Sequence, residues 1–136
     1  MDRSEIVRAA YERFNDKDFE AVLDLCDPDI EFRDLLSKDG TAYGLDALRQ
    51  RWAKRFSEAS TRVTVSDVVE IGDIVIAGVS YQAYDRDDRA VGPYVLVADQ
   101  FSFRDNRILR IEATQFADIP GEVRSLLLPP TPSAPR

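Results

Sequence analysis

From Arg62 to Phe116 the chain reads as strand throughout, and this limits the folds open to it. Residues 62–71 and 74–84 are joined by Gly72-Asp73, a two-residue hairpin signal, and residues 94–104 and 107–116 by the tight turn Asp105-Asn106. The result is an antiparallel meander of four strands. All predicted helices lie before it, so they can cover one face of the sheet and leave the other. The run 74–84 is apolar on both faces, with Ile74 and Ile76 on one and Val75, Ala77, Val79 and Tyr81 on the other. The face turned away from the helices, to which Tyr94 and Leu96 also belong, therefore needs another cover. A second copy of the chain is the simplest one, and a homodimer through the outer sheet face is expected.

The first half supplies the helices. Ile6, Val7, Ala10, Tyr11 and Phe14 recur at helical spacing after Ser4, a good N-cap, which predicts a helix over 4–14. Asp18 caps a second short helix with the stripe Phe19, Val22, Leu23 and Cys26, stopped by Pro28. Residues 29–34 alternate, with Ile30, Phe32 and Asp34 on one face, and read as a short half-buried strand running into the loop 35–40. After Gly44 a third helix is predicted through about Ala59. It buries Leu45, Leu48, Trp52 and Phe56, while Arg49, Arg51, Lys54 and Arg55 read as a solvated face. The link 85–93 is polar and reads as a mobile loop, and the prolines of 129–135 read as an extended or disordered tail. Together these elements make one α+β domain over 1–120, followed by a Pro-rich tail over 121–136.

Two carboxylates stand out in this layout. In the strand 94–104, Val95, Val97, Asp99, Phe101 and Phe103 share a face, so Asp99 sits alone among four apolar neighbours. It must be paired, face a cavity, or keep its proton with a raised pKa. Asp34 likewise continues the apolar face of Ile30 and Phe32 at a strand end. Composition narrows the chemistry. There is no histidine and a single cysteine, Cys26, which reads as a core residue. A disulfide, a zinc site and a histidine-based triad are thereby set aside, and acid–base work falls to Asp, Glu, Tyr or Lys. The net charge of −7 argues against nucleic acid as a partner. No run approaches the roughly 20 apolar residues of a spanning helix, and the N-terminus is unlike a signal peptide, so no membrane partner and a cytoplasmic location are expected.

The order helix, helix, short strand, helix, four strands resembles the nuclear-transport-factor-2-like superfamily, which includes ketosteroid isomerases and SnoaL-like polyketide cyclases. The likeness covers residues 4–116. It is carried by Tyr11-Glu-Arg-Phe-Asn-Asp-Lys-Asp-Phe-Glu-Ala-Val22, by Asp29-Ile-Glu-Phe-Arg-Asp34, by Tyr43-Gly44, and by Phe101-Ser-Phe-Arg-Asp-Asn-Arg-Ile108. The resemblance implies a cone-shaped, curved antiparallel sheet wrapped around three N-terminal helices. It also implies roles for three residues. The family's general-base aspartate ends the first strand, where Asp34 stands; its oxyanion-hole tyrosine lies on the first helix, where Tyr11 stands; its protonated aspartic acid lies on the penultimate strand, where Asp99 stands. Tyrosines that support the oxyanion tyrosine in such isomerases are replaced by Cys26 and Trp52. The last-strand aspartate of SnoaL-type cyclases has no counterpart in Ile111-Glu-Ala-Thr-Gln115.

The function this implies is that of a cofactor-free isomerase or cyclase, without metal, acting on a small hydrophobic carbonyl compound through an enolate. Asp34, Tyr11 and Asp99 are the candidate catalytic residues, and Phe32, Trp52, Val97, Phe101, Ala113 and Gln115 the candidate substrate-binding ones. The alternative is a non-catalytic carrier or sensor of hydrophobic ligands built on the same fold. Residue by residue, plainer readings also stand: Asp34 as a turn residue, Asp99 as the ion-pair partner of Arg49 or Arg55, and Tyr11 as a core tyrosine. An enzyme requires Asp34, Tyr11 and Asp99 to meet at one cavity, whereas a carrier requires the cavity alone.

Overall fold

The computed structural model describes residues 1–34, 39–58 and 60–130, with Glu58 by its backbone. Helix α1 (Arg3–Asn15) begins one residue before Ser4, because Asp2 is the better cap. The Asp2 carboxylate accepts from the Glu5 N–H at 2.9 Å, and the Glu5 carboxylate accepts from the Asp2 N–H, which closes a capping box. At the other end of α1, the Asn15 side chain exchanges two 2.8 Å hydrogen bonds with the backbone of Val63. This ties the helix to the sheet and sets the position of Tyr11. Helix α2 (Phe19–Leu23) is shorter than its apolar stripe suggests. Cys26 and Pro28 belong instead to strand β1 (Cys26–Asp34). Cys26 runs beside Ile108, whose N–H donates to Leu25 O at 2.9 Å, and Pro28 is tolerated where the register shifts between Cys26 and Glu31.

After a short edge strand β2 (Thr41–Tyr43), which has no signal of its own in the sequence, come helix α3 (Leu45–Glu58) and strands β3 (Ser60–Ile71), β4 (Ile74–Tyr84), β5 (Ala90–Arg104) and β6 (Arg107–Gln115). The meander β3–β4–β5–β6 forms as predicted. Asp105 and Asn106 both take positive φ, 52° and 61°, as a two-residue hairpin turn demands. The link 85–93 is shorter than expected: β5 starts at Ala90, and the Asp85 carboxylate closes the turn by accepting from the N–H groups of Asp87 and Arg89. The sheet is curved, unclosed and mixed rather than purely antiparallel, in the order β2-β1-β6-β5-β4-β3. Its last strand returns beside the first, and β1 and β6 run parallel.

The inner face packs Val75, Ala77, Val79, Val97, Phe101 and Ile108 against Ile6, Val7, Leu48 and Trp52 of the helices. On the outer face the chain supplies part of its own cover. Beyond β6, a 3-10 turn (Phe116–Asp118) and helix α4 (Gly121–Arg124) bring Ile119, Val123 and Leu127 onto Ile74, Ile76 and Ala98. The Leu128 N–H donates to Asp67 Oδ2 at 2.9 Å, and Leu128 O accepts from Ser66 Oγ. Gly78 leaves room for this crossing, since a Cβ there would stand 3.3 Å from Leu128 O. The segment expected as a tail from residue 121 is thus packed through Pro130, because the apolar outer face of β4 gives it something to bury. Residues 131–136 of the expected tail, residues 35–38 of the expected loop and Ala59 lie outside the described residues.

Candidate functional site

Strand register builds the site. Asp99 on β5 has Ala77 of β4 on one side and Ala113 of β6 on the other, and Ala113 is in turn the partner of Asp34 on β1. Asp34, Ala113, Asp99 and Ala77 therefore form one row across four strands. With strands spaced about 4.8 Å apart, the two aspartate backbones are roughly 10 Å from each other. Two methyl side chains in that row leave the space above it open.

That space is filled from two sides by phenols. Tyr11 of α1 donates its hydroxyl to Asp99 Oδ2 at 2.6 Å, and Tyr81 of β4 donates to the same oxygen at 2.5 Å. The Tyr11 ring is held edge-on against Phe101, with centroids 5.9 Å apart. Asp99 is 2% exposed, and its Oδ1 is buried with no hydrogen-bond partner. Burial pushes the Asp99 carboxyl up from 3.8 to about 6; the two phenol donors oppose the shift, and the charge of Asp34 adds to it. Burial, followed by the neighbouring Asp99, drives both tyrosine hydroxyls well above their usual value.

Asp34, at the end of β1, is held by Arg55 of α3, whose Nη2 lies 2.8 Å from Asp34 Oδ2. The pairing offsets the desolvation of a carboxylate that is 7% exposed. A cavity of about 420 Å³ lies against all these groups: Tyr11, Tyr81, Asp99, Asp34 and Arg55 line it along with Phe32, Trp52, Phe101 and Ala113. Among the described residues, no group of three or more thiols or carboxylates is arranged to hold a metal ion.

The three candidate catalytic residues thus line one cavity, as do four of the six candidate binding residues. The other two do not: Val97 is sealed in the core, and Gln115 is exposed at the end of β6. The ion-pair reading of Asp99 is overturned, because Arg55 holds Asp34 and Arg49 holds Glu20 and Asp46. Arg55 also leaves the expected solvated face, since its position near the end of α3 brings it over the cavity. Tyr81 was not expected at the site. Its place on the inward face of β4 could be read from the alternation, but its contact with Asp99 depends on the register between β4 and β5.

The fold is widely shared. TerC, crystallised with polyporic acid, is 20% identical, covers 83% of this chain and 90% of its own, and superposes with a TM-score of 0.72. A candidate polyketide cyclase from Sinorhizobium meliloti is 21% identical over 81% of this chain and 94% of its own, with a TM-score of 0.69. A protein with a ketosteroid isomerase-like fold from Catenulispora acidiphila, in complex with trimethylamine, is 19% identical over 81% and 84%, also with a TM-score of 0.69. No curated protein matches. At such identities the likeness shows the fold. The sequence itself goes further, because residues 7–111, from the first turns of α1 to the middle of β6, match the SnoaL-like domain, and the chain belongs to that family.

Proposed function

We propose that this protein is a cofactor-free isomerase or cyclase that moves a proton on a small, mostly apolar carbonyl compound. The observation that carries this reading is the meeting of Asp34, Tyr11 and Asp99 at one cavity whose remaining walls are largely apolar. Asp34 takes a proton from the carbon beside the carbonyl; the C–H electron pair becomes the C=C of an enolate, and the charge moves to oxygen. That oxygen lies at the Tyr11–Asp99 end, where, with Asp99 protonated, hydroxyl donors stabilise it. In an isomerase the proton then returns from Asp34 to a different carbon. In a cyclase the enolate carbon instead bonds to the carbon of a second carbonyl of the same molecule, whose C=O π pair moves onto its oxygen, and that oxygen takes the proton from Asp34. The candidate cyclase from Sinorhizobium meliloti supports reading this fold as a scaffold for such chemistry.

The carrier reading also has an observation in its favour. Both phenols donate to Asp99, and Arg55 holds Asp34, so these polar groups find partners within the protein. The two readings separate on proton exchange. A panel of β,γ-unsaturated ketones in deuterated buffer should lose α-protons with the wild-type protein. Asp34→Asn should slow that loss by about 10²-fold or more while ligand affinity is largely kept. If the wild type exchanges no ketone of the panel, the carrier reading takes its place.

A further inference from the structure

We infer that Tyr81 is the residue that hydrogen-bonds the ligand's oxygen, and that Asp99 stands behind it as a positioning residue whose protonation turns the Tyr81 hydroxyl into the cavity. This rests on the proposal above that a ligand oxygen lies at this end of the cavity, and it changes which atom meets it. While Asp99 is ionised, Tyr11 and Tyr81 both spend their protons on Oδ2. Neither hydroxyl then has a proton for a ligand.

A proton added to Asp99 has one suitable place. Oδ1 is enclosed with no partner, so an O–H there would be a buried donor without an acceptor. On Oδ2 the proton lies between two phenol oxygens and can be donated to one of them. The phenol that accepts it must point its own proton elsewhere, while the other continues to donate to Oδ2. Tyr11 is buried and fixed edge-on to Phe101, whereas Tyr81 is half-buried. The charges of Asp34 and Arg55 bear on the Tyr81 hydroxyl, while that of Tyr11 is affected by Asp99 and Tyr81. Tyr81 is therefore the phenol released toward the open side. Tyr11 from α1 and Tyr81 from β4 touch Asp99, the charge of Asp34 from β1 acts on it, Arg55 from α3 lines the same cavity, and among the described residues no other charged side chain lines it. The ligand class that follows is an oxyanion, an enolate or a phenolate, taken up together with one proton.

Pentafluorophenolate, which is ionised above neutral pH, is a probe that needs no turnover. Titration calorimetry in buffers of different ionisation heat should show about one proton taken up per ligand. Affinity should fall about tenfold per pH unit above pH 7, where Asp99 must be protonated on binding. Tyr81→Phe should weaken binding at least tenfold and remove the pH slope, whereas Tyr11→Phe should keep the slope. Asp99→Asn can donate its amide to the Tyr81 oxygen permanently, so its binding should persist and be flat with pH, while Asp99→Leu should lose it. The contrast between Asn and Leu decides the matter even if Tyr81→Phe does not fold. Pentafluorophenolate that fails to bind at millimolar concentration, binds without proton uptake, or depends on Tyr11 in place of Tyr81 would overturn the assignment. Ketone exchange that is normal beside a flat binding profile sinks this inference alone; Tyr81-dependent proton uptake without any exchange sinks the enzyme reading alone.

Discussion

Asp99→Asn should change how the stability of this protein depends on pH, and the size of the change follows from burial. The Asp99 carboxyl is raised from 3.8 to about 6, chiefly by loss of solvent. Each tenfold change in proton affinity is worth about 1.4 kcal/mol, so the ionised carboxylate costs the folded state about 3 kcal/mol relative to the unfolded chain. The folded protein holds the proton more tightly than the unfolded chain does. This contribution is therefore absent below about pH 4, erodes stability as pH rises to about 6, and is constant above that. Asparagine carries no charge at any of these pH values and keeps hydrogen bonding to the phenols through its amide. The stability of Asp99→Asn minus that of the wild type should thus rise by about 3 kcal/mol between pH 4 and pH 7. Asp27, whose carboxyl is held below the usual range by hydrogen bonds from Arg104, titrates in both proteins and cancels in the difference. Urea unfolding followed by the fluorescence of Trp52, the single tryptophan, measures that difference directly. A difference that stays flat to within about 1 kcal/mol across this range would show that Asp99 ionises as freely as an exposed carboxylate, and the account of its burial would fail.

Leu127→Ala should cost about 2 to 4 kcal/mol in thermal or urea unfolding, because Leu127 is buried against Ile76 and Ala98 on the outer face; a change near zero would mean that the C-terminal segment adds nothing to the fold. Cys26 is 1% exposed, its Sγ donates to Val22 O, and burial pushes its thiol up to about 12, so a disulfide reagent should label it at the rate of global unfolding and not faster. Tyr94 stays exposed on β5 although the C-terminal segment covers Ile74 and Ile76. The protein is accordingly expected to pair with a second copy through its outer face at micromolar concentration, and light scattering that gives 15.4 kDa throughout that range would remove the expectation.

Much of this molecule could be read from local pattern. Period-two alternation turned Asp99 and Asp34 inward, and the hairpin signals at Gly72-Asp73 and Asp105-Asn106 ordered the last four strands, because side-chain direction and turn chemistry are set within a few residues. The absence of histidine narrowed the acid–base groups to carboxylates, phenols and lysines before any geometry was known. Other features depended on contacts far apart in the chain. The parallel pairing of β1 with β6 made Cys26 and Pro28 strand residues and set Asp34 beside Ala113, in the same row as Asp99. The return of Leu127 over Ile76 drew into the body a segment that reads as a tail by composition. Arg55, one cation in a basic run, was singled out by the position of Asp34 at the end of β1. Tyr81 is the clearest case, since a tyrosine on the inward face of a strand looks like any core aromatic. What sets it apart is a hydroxyl that meets Asp99 Oδ2 across 18 residues of sequence. Alternation tells which face a side chain takes, but the atom it reaches there is chosen by register and helix docking, which no local stretch of sequence encodes.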